Sequence, residues 1–143
     1  GIGVTLTNFI ESLKKSTTVT IEYEDLTLQD NSKITNHQAI NLFRISQELI
    51  NNSIKHSKAK NIRITLSEFD EFISLFYFDD GIGFDKEAVA RAATGSGLRN
   101  IFNRVALLRG QIIIDTLPQQ GVRYQIKTPL NYAKYKNQNC HCR

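Results

Sequence analysis

The run Phe72-Ile73-Ser74-Leu75-Phe76-Tyr77-Phe78 carries apolar side chains on both of its alternating faces. A half-buried strand alternates apolar with polar, whereas one apolar on both sides belongs at the centre of a sheet covered above and below. Upstream, Asn61–Glu68 does alternate, with Ile62, Ile64 and Leu66 on one face; Asp70 and Glu71 separate the two runs and predict a hairpin. Residues 18–26 alternate as well, setting Val19, Ile21 and Tyr23 against Thr20, Glu22 and Glu24. Two more strands are expected at 111–117 and 122–128, turned by 118–121, and residues 28–36 read as a polar loop.

Three segments carry the helical period instead. Residues 4–15 space Leu6, Phe9, Ile10 and Leu13; residues 97–109 space Leu98, Ile101, Phe102, Val105 and Leu108. A long helix is predicted from about 36 to 56, capped by Thr35 or Asn36, with Ala39, Phe43, Ile50 and Ile54 on its apolar side. A short helical piece is expected around 86–92. Together these elements make a two-layer α/β sandwich, a mixed and mainly antiparallel sheet of about five strands with about three main helices on one face.

With 143 residues, 41% of them apolar and 22% charged, the chain has one domain's worth of core and is not a disordered segment. The domain is expected over 1–130, followed by a basic, polar and flexible tail at 131–143. The net charge of +4 resides mostly in that tail, because residues 1–130 hold 15 basic and 14 acidic groups. That balance argues against nucleic acid as a partner. No apolar run approaches the roughly 20 residues that span a bilayer, and no signal peptide opens the chain. The expectation is a cytoplasmic domain that makes no membrane contact. The two cysteines, Cys140 and Cys142, flank His141 in the tail, and a structural zinc site needs a fourth ligand that the chain does not pair with them.

Three segments carry candidate chemistry. On the long helix, at about 100° per residue, Glu48, Asn52 and Lys55 fall within roughly 60° of one another and form one polar strip. A solvated helix face has the same composition. At the end of the most apolar strand stands Asp79-Asp80-Gly81-Ile82-Gly83, where a carboxylate at the core's edge can accept a hydrogen bond from an amine and glycines allow close backbone approach. A plain turn uses the same residues. Finally, Gly95-Ser96-Gly97-Leu98 opens a helix, whose free N–H groups attract phosphate, and where Ser96 also suits a simple N-cap.

Taken in order, FRISQELINNSIKHSKAKNIRI, DDGIGFD and GSGLRNIFNRV resemble the three boxes of the ATP-binding domain shared by gyrase, the heat-shock chaperone, histidine kinases and MutL. The resemblance covers roughly residues 1–130 and is nearest to the sensor histidine kinases of the nitrate-sensor-like branch. It implies that ATP and Mg²⁺ are the cofactors and that the γ-phosphate goes to a histidine on a dimerisation domain outside this chain. A response regulator would follow downstream. It further implies that Asn52 holds Mg²⁺ and that Glu48 is the catalytic carboxylate, orienting or deprotonating the attacking group. Lys55 and His56 would lie near phosphates or ribose. Asp79 would read the adenine amine, with Gly81 and Gly83 making room for the base. Gly95, Ser96, Gly97 and Leu98 would form the phosphate-side turn, and residues 84–94 a short lid.

Arg99 and Arg104 add positive charge on the helix after the third box, near the phosphates or facing solvent. The chain departs from the family pattern at Ser53, where alanine is usual, at Arg109-Gly110 in place of Gly-Gly, and at Val122, where threonine often follows the glycine. Two other functions fit the same boxes: a stand-alone protein serine kinase of the anti-sigma type, and a nucleotide-binding or docking module without turnover.

Overall fold

The computed structural model describes residues 1–84 and 96–130, Ser96 by its backbone alone. Helix α1 (Ile2–Leu13) leads into strand β1 (Thr20–Leu26), and helix α2 (Asn36–Asn52) crosses over to β2 (Asn61–Glu68). Strand β3 (Phe72–Asp79), helix α3 (Ser96–Leu107), β4 (Gln111–Thr116) and β5 (Val122–Pro129) follow. The five strands lie in the order β1-β2-β3-β5-β4, parallel between β1 and β2 and antiparallel elsewhere. This is the expected mixed α/β sandwich. The helix predicted around 86–92, most of the lid and the tail from 131 lie outside the described residues, as do the Cys140-His141-Cys142 cluster and Gly95.

Helix α2 starts where Thr35 and Gln38 satisfy each other's backbone. Gln38 N–H donates to Thr35 Oγ1 at 3.1 Å, and Thr35 N–H donates to Gln38 Oε1 at 2.9 Å. Gln38 Nε2 also donates to the Pro129 carbonyl at 2.9 Å, which pins the helix start to the end of β5. The α-helix stops at Asn52, short of the predicted residue 56, and continues as a wider π turn at Ser53–Ser57. Its buried stripe is Leu42, Ile45, Leu49 and Ile50. Ala39, Phe43 and Ile54 are only partly buried, because that flank turns away from the sheet; Phe43 meets Phe9 of α1 edge-on at 5.8 Å.

The inward row of β3 is Ile73, Leu75, Tyr77 and Asp79, all buried. Its outward row, Phe72, Ser74, Phe76 and Phe78, is half-buried, so the expectation of cover on both faces is corrected: the three helices pack on one face of the sheet only. Charged residues neighbour two of these rings. Lys127 Nζ lies 5.3 Å above the Phe72 ring, and Arg63 and Arg123 flank Phe78 in the ladder. Phe102 is a second correction. It is 42% exposed, whereas Ile101 and Val105 of the same helix and Leu108 just after it are buried, since a neighbour of Ile101 points about 100° away from the sheet.

One buried carboxylate has no counterpart in the sequence reading. Glu68, at the end of β2, accepts hydrogen bonds from Leu28 N–H (3.1 Å), Lys33 N–H (2.9 Å) and the Ser32 hydroxyl (2.9 Å). It thereby fastens the loop before α2.

Candidate functional site

A cavity of about 290 Å³ opens between the end of α2, the end of β3 and the start of α3, at the lower edge of the range for small-molecule sites, roughly 300–1,000 Å³. Leu49, Ile82, Phe84, Leu98 and Val122 give it apolar walls; Asn52, His56 and Asp79 are among its polar lining residues, with hydroxyl-bearing Ser53, Ser57, Tyr77 and Tyr124 beside them. All three sequence boxes therefore contribute to one concave surface.

Asp79 is 2% exposed and is the most enclosed carboxylate of the described residues. It belongs to the inward row of β3, two residues after Tyr77, so the strand's alternation carries it to the cavity while Asp80 turns to solvent. Its Oδ2 accepts from the Ser53 hydroxyl (2.8 Å) and the Tyr77 hydroxyl (3.1 Å); its Oδ1 accepts from Gly81 N–H (2.9 Å). The single Tyr77 proton has a competing acceptor in the Leu49 carbonyl at 3.2 Å. Burial, and then the nearby Asp79 charge, push the Tyr77 and Tyr124 phenols far above their ordinary range, so both rings stay protonated. Asp80 instead accepts from Lys60 N–H, Asn61 N–H and Asn61 Nδ2 at 2.8–2.9 Å. The Asn61 contacts hold its carboxyl below the usual range.

The glycines of the second box meet protein. An alanine Cβ at Gly81 would strike the Ser57 carbonyl oxygen and lie 2.6 Å from Ser57 Cβ. At Gly83, which has φ of +63°, it would strike the Leu117 carbonyl and lie 2.7 Å from the Gly121 carbonyl. Both residues let the β3 end press against the π turn and the β4–β5 turn, and Gly83 also lines the cavity.

Gly97 brings the third box to the first. A Cβ there would lie 2.7 Å from Asn52 Nδ2, so the α3 backbone rests directly on the Asn52 amide. Ser96 begins α3 and Leu98 lines the cavity. Glu48, one turn before Asn52, is half-buried outside the lining, and Asn100 Nδ2 stands 3.4 Å from its Oε1. The π turn breaks the 100° progression after Asn52. Accordingly Lys55 is exposed and outside the lining, whereas His56 is exposed and lines it. Arg104 donates to Asn41 Oδ1 at 3.0 Å, binding α3 to α2 three turns away from Asn52.

Tyr77, Ser57 and Tyr124 join this site beyond the residues of the three boxes' chemistry, and so does Ser53, in sequence only a departure from the family pattern. For Tyr77 the signal was available, because it shares Asp79's face by the strand's period of two. Nothing in the sequence foretells the π turn that brings Ser53 and Ser57 to the end of β3.

Compared with known proteins, residues 37–132 match the family described as histidine kinase-, DNA gyrase B- and HSP90-like ATPases. The chain is 38% identical over 91 residues to sensor histidine kinase ComP of Bacillus subtilis, covering 64% of this chain and 12% of that protein. It is 32% identical over 114 residues to the histidine-protein kinase/phosphatase DegS of the same organism, covering 79% and 30%. The chain thus spans less than a third of the length of these relatives. Among solved structures, the histidine kinase domain of the Erythrobacter litoralis EL346 blue-light activated kinase superposes with a TM-score of 0.76 at 15% identity, over 94% of this chain and 63% of that one. Histidine kinase AdeS of Acinetobacter baumannii does so with a TM-score of 0.70 at 18% identity, over 91% and 64%. The fold is theirs. Among the described residues, no helix is long and apolar enough to cross a membrane. On the ordered boxes and these matches, the chain belongs to the histidine kinase-, DNA gyrase B- and HSP90-like ATPases, and the relatives it matches are sensor histidine kinases.

Proposed function

We propose that this domain binds Mg²⁺·ATP in the cavity between α2, β3 and α3 and presents the γ-phosphate to a histidine on a dimerisation domain of its parent protein, working in the cytoplasm and supplying phosphate to a response regulator. The observation that carries this reading is the joining of the three boxes: a buried carboxylate at one end of an apolar cavity, and an amide under a glycine helix start at the other.

The residues fit the ligand they would take. Asp79 accepts the hydrogen bond of an exocyclic amine, and Leu49, Ile82 and Val122 offer apolar surface to a base. Among the described residues there is no group of three acidic, histidine or cysteine side chains for a protein-only metal cage. Mg²⁺ suits such a site, since it keeps waters and phosphate oxygens and takes few protein ligands; here Asn52 would hold it. When bound, the ion neutralises phosphate charge. Glu48 then either takes a proton from the accepting histidine or orients its ring, one turn from Asn52. Positioning and charge neutralisation account for most of the chemistry of phosphoryl transfer, so the isolated domain is expected to bind nucleotide and turn it over slowly or not at all.

Calorimetric titration with a non-hydrolysable ATP analogue, with and without Mg²⁺, tests this for the wild type and Asn52→Ala. Metal-enhanced binding lost in the variant, with unchanged circular dichroism, is the expected result. A folded wild type that binds no nucleotide refutes the reading and leaves a docking module. A variant that binds Mg²⁺·ATP like the wild type refutes the metal assignment.

A further inference from the structure

The Asp79 carboxylate is held from both layers of the fold. Gly81 N–H and the Tyr77 hydroxyl come from its own strand and the turn after it, whereas the Ser53 hydroxyl reaches it from the helix layer at 2.8 Å, the shortest of the three contacts. Ser53 is 3% exposed. An ionised carboxylate only accepts, so the proton in this contact is serine's. The neighbouring Ser57 gives its own proton to the Ser53 carbonyl at 2.7 Å, so its oxygen, 3.0 Å from Ser53 Oγ, is the competing acceptor; the Asp79 carboxylate is closer, at 2.8 Å, and as an acidic group the stronger acceptor. Tyr77 is the less committed donor, with the Leu49 carbonyl as its alternative.

Opposite Asp79 in the β3–β5 ladder stands Val122, which lines the same cavity and brings no hydroxyl. Directly opposed side chains lie about 4.5–5.5 Å apart at Cβ, so a hydroxyl at position 122 would be within reach of the carboxylate. In this chain the second side-chain donor comes from the π turn after α2 instead.

Resting on the nucleotide-site reading above, we propose that Ser53 is a positioning residue for base selection. Its hydroxyl fixes the rotation of the Asp79 carboxylate, with Oδ2 turned to Ser53 and Tyr77 and the remaining acceptor capacity of Oδ1 turned to the cavity. The site therefore favours a base bearing an exocyclic amine over one bearing an exocyclic oxygen. Without Ser53, Oδ2 keeps only the tyrosine, whose proton is shared with Leu49, and the carboxylate plane loosens. A site gains selectivity from a polar group only when that group is held in the productive orientation.

The test uses the full chain, the non-hydrolysable analogues of ATP and of inosine triphosphate, and amide exchange at Gly81 without nucleotide. Ser53→Ala is expected to weaken ATP-analogue binding about tenfold, in line with loss of one charge-assisted hydrogen bond. Inosine-analogue binding should stay within about twofold, and Gly81 exchange should accelerate while the amides of Leu66 and Leu75 keep their protection. Adding Val122→Thr should recover much of the ATP preference. Equal weakening for both nucleotides would mean a structural role and overturn the proposal, as would unchanged ATP binding with unchanged Gly81 protection. A wild type that binds neither nucleotide refutes the site reading and the base preference with it; the Gly81 rate in Ser53→Ala then decides for or against the clamp alone.

Discussion

Replacing Gly81 by alanine separates two reasons for a glycine beside a ligand cavity. If Gly81 only makes room for a base, Gly81→Ala leaves the ligand-free protein as stable as before and weakens binding. The structure argues otherwise. An added Cβ would strike the Ser57 carbonyl oxygen and lie 2.6 Å and 2.7 Å from Ser57 Cβ and Oγ. That carbonyl is no flexible side-chain tip: it accepts the Ile82 N–H at 2.7 Å, so relief requires the π turn and the β3 end to move apart. Overpacking of this kind costs about 1–3 kcal/mol. Weakening the Ile82 hydrogen bond adds about 0.5–1.5 kcal/mol, for a total of about 2–4 kcal/mol. For a domain of this size each kcal/mol moves the melting midpoint by about 3 °C, so thermal unfolding without nucleotide should shift down by about 6–12 °C. Circular dichroism or calorimetric melting reads this directly. Gly1→Ala, where nothing lies within 4 Å of the added carbon, is the control. A Gly81→Ala midpoint within about 2 °C of the wild type would refute the packing argument.

Two further outcomes follow from the carboxylates outside the cavity. Glu68→Ala should cost about 2–4 kcal/mol in urea unfolding, because it strands the Leu28 and Lys33 N–H groups and the Ser32 hydroxyl; limited proteolysis should also cut faster within residues 27–34, and an unchanged cleavage rate would contradict the fastening role. Asp80 titrates lower folded than unfolded, held down by Asn61, so its contribution is complete above the unfolded value of about 3.9 and disappears as pH falls through the folded one. The stability gap between wild type and Asp80→Asn should accordingly be flat from about pH 5 to 7 and shrink below about pH 4; a gap independent of pH would show that Asp80 does not act through its charge.

Much of this molecule is legible from local patterns. The hairpin of β2 and β3 and the alternation of β5 need only the strand's period of two. Thr35 announces the start of α2, because an N-cap and its partner at Gln38 lie within one turn. The order of the three boxes likewise needs no coordinates. The choice between Asp79 and Asp80 is local too: Asp79 continues the row of Ile73, Leu75 and Tyr77, and a one-residue offset reverses the face.

Periodicity and short-range chemistry make the strands and α-helices and their order readable from the residues alone, and the three ordered boxes carry the resemblance to the family. What each side chain meets emerges once the segments are packed together. The apolar outer row of β3 looks the same in sequence whether helices cover it or leave it half-buried. Glu68 reads as the polar end of a strand until the loop before α2 folds onto it. Gly81 reads as room for a ligand until the π turn is seen pressed against it, and Ser53 reads as a substitution until its hydroxyl reaches a carboxylate 26 residues later. Each depends on contacts between segments distant in the chain, and their geometry is set by how the helices lie on the sheet.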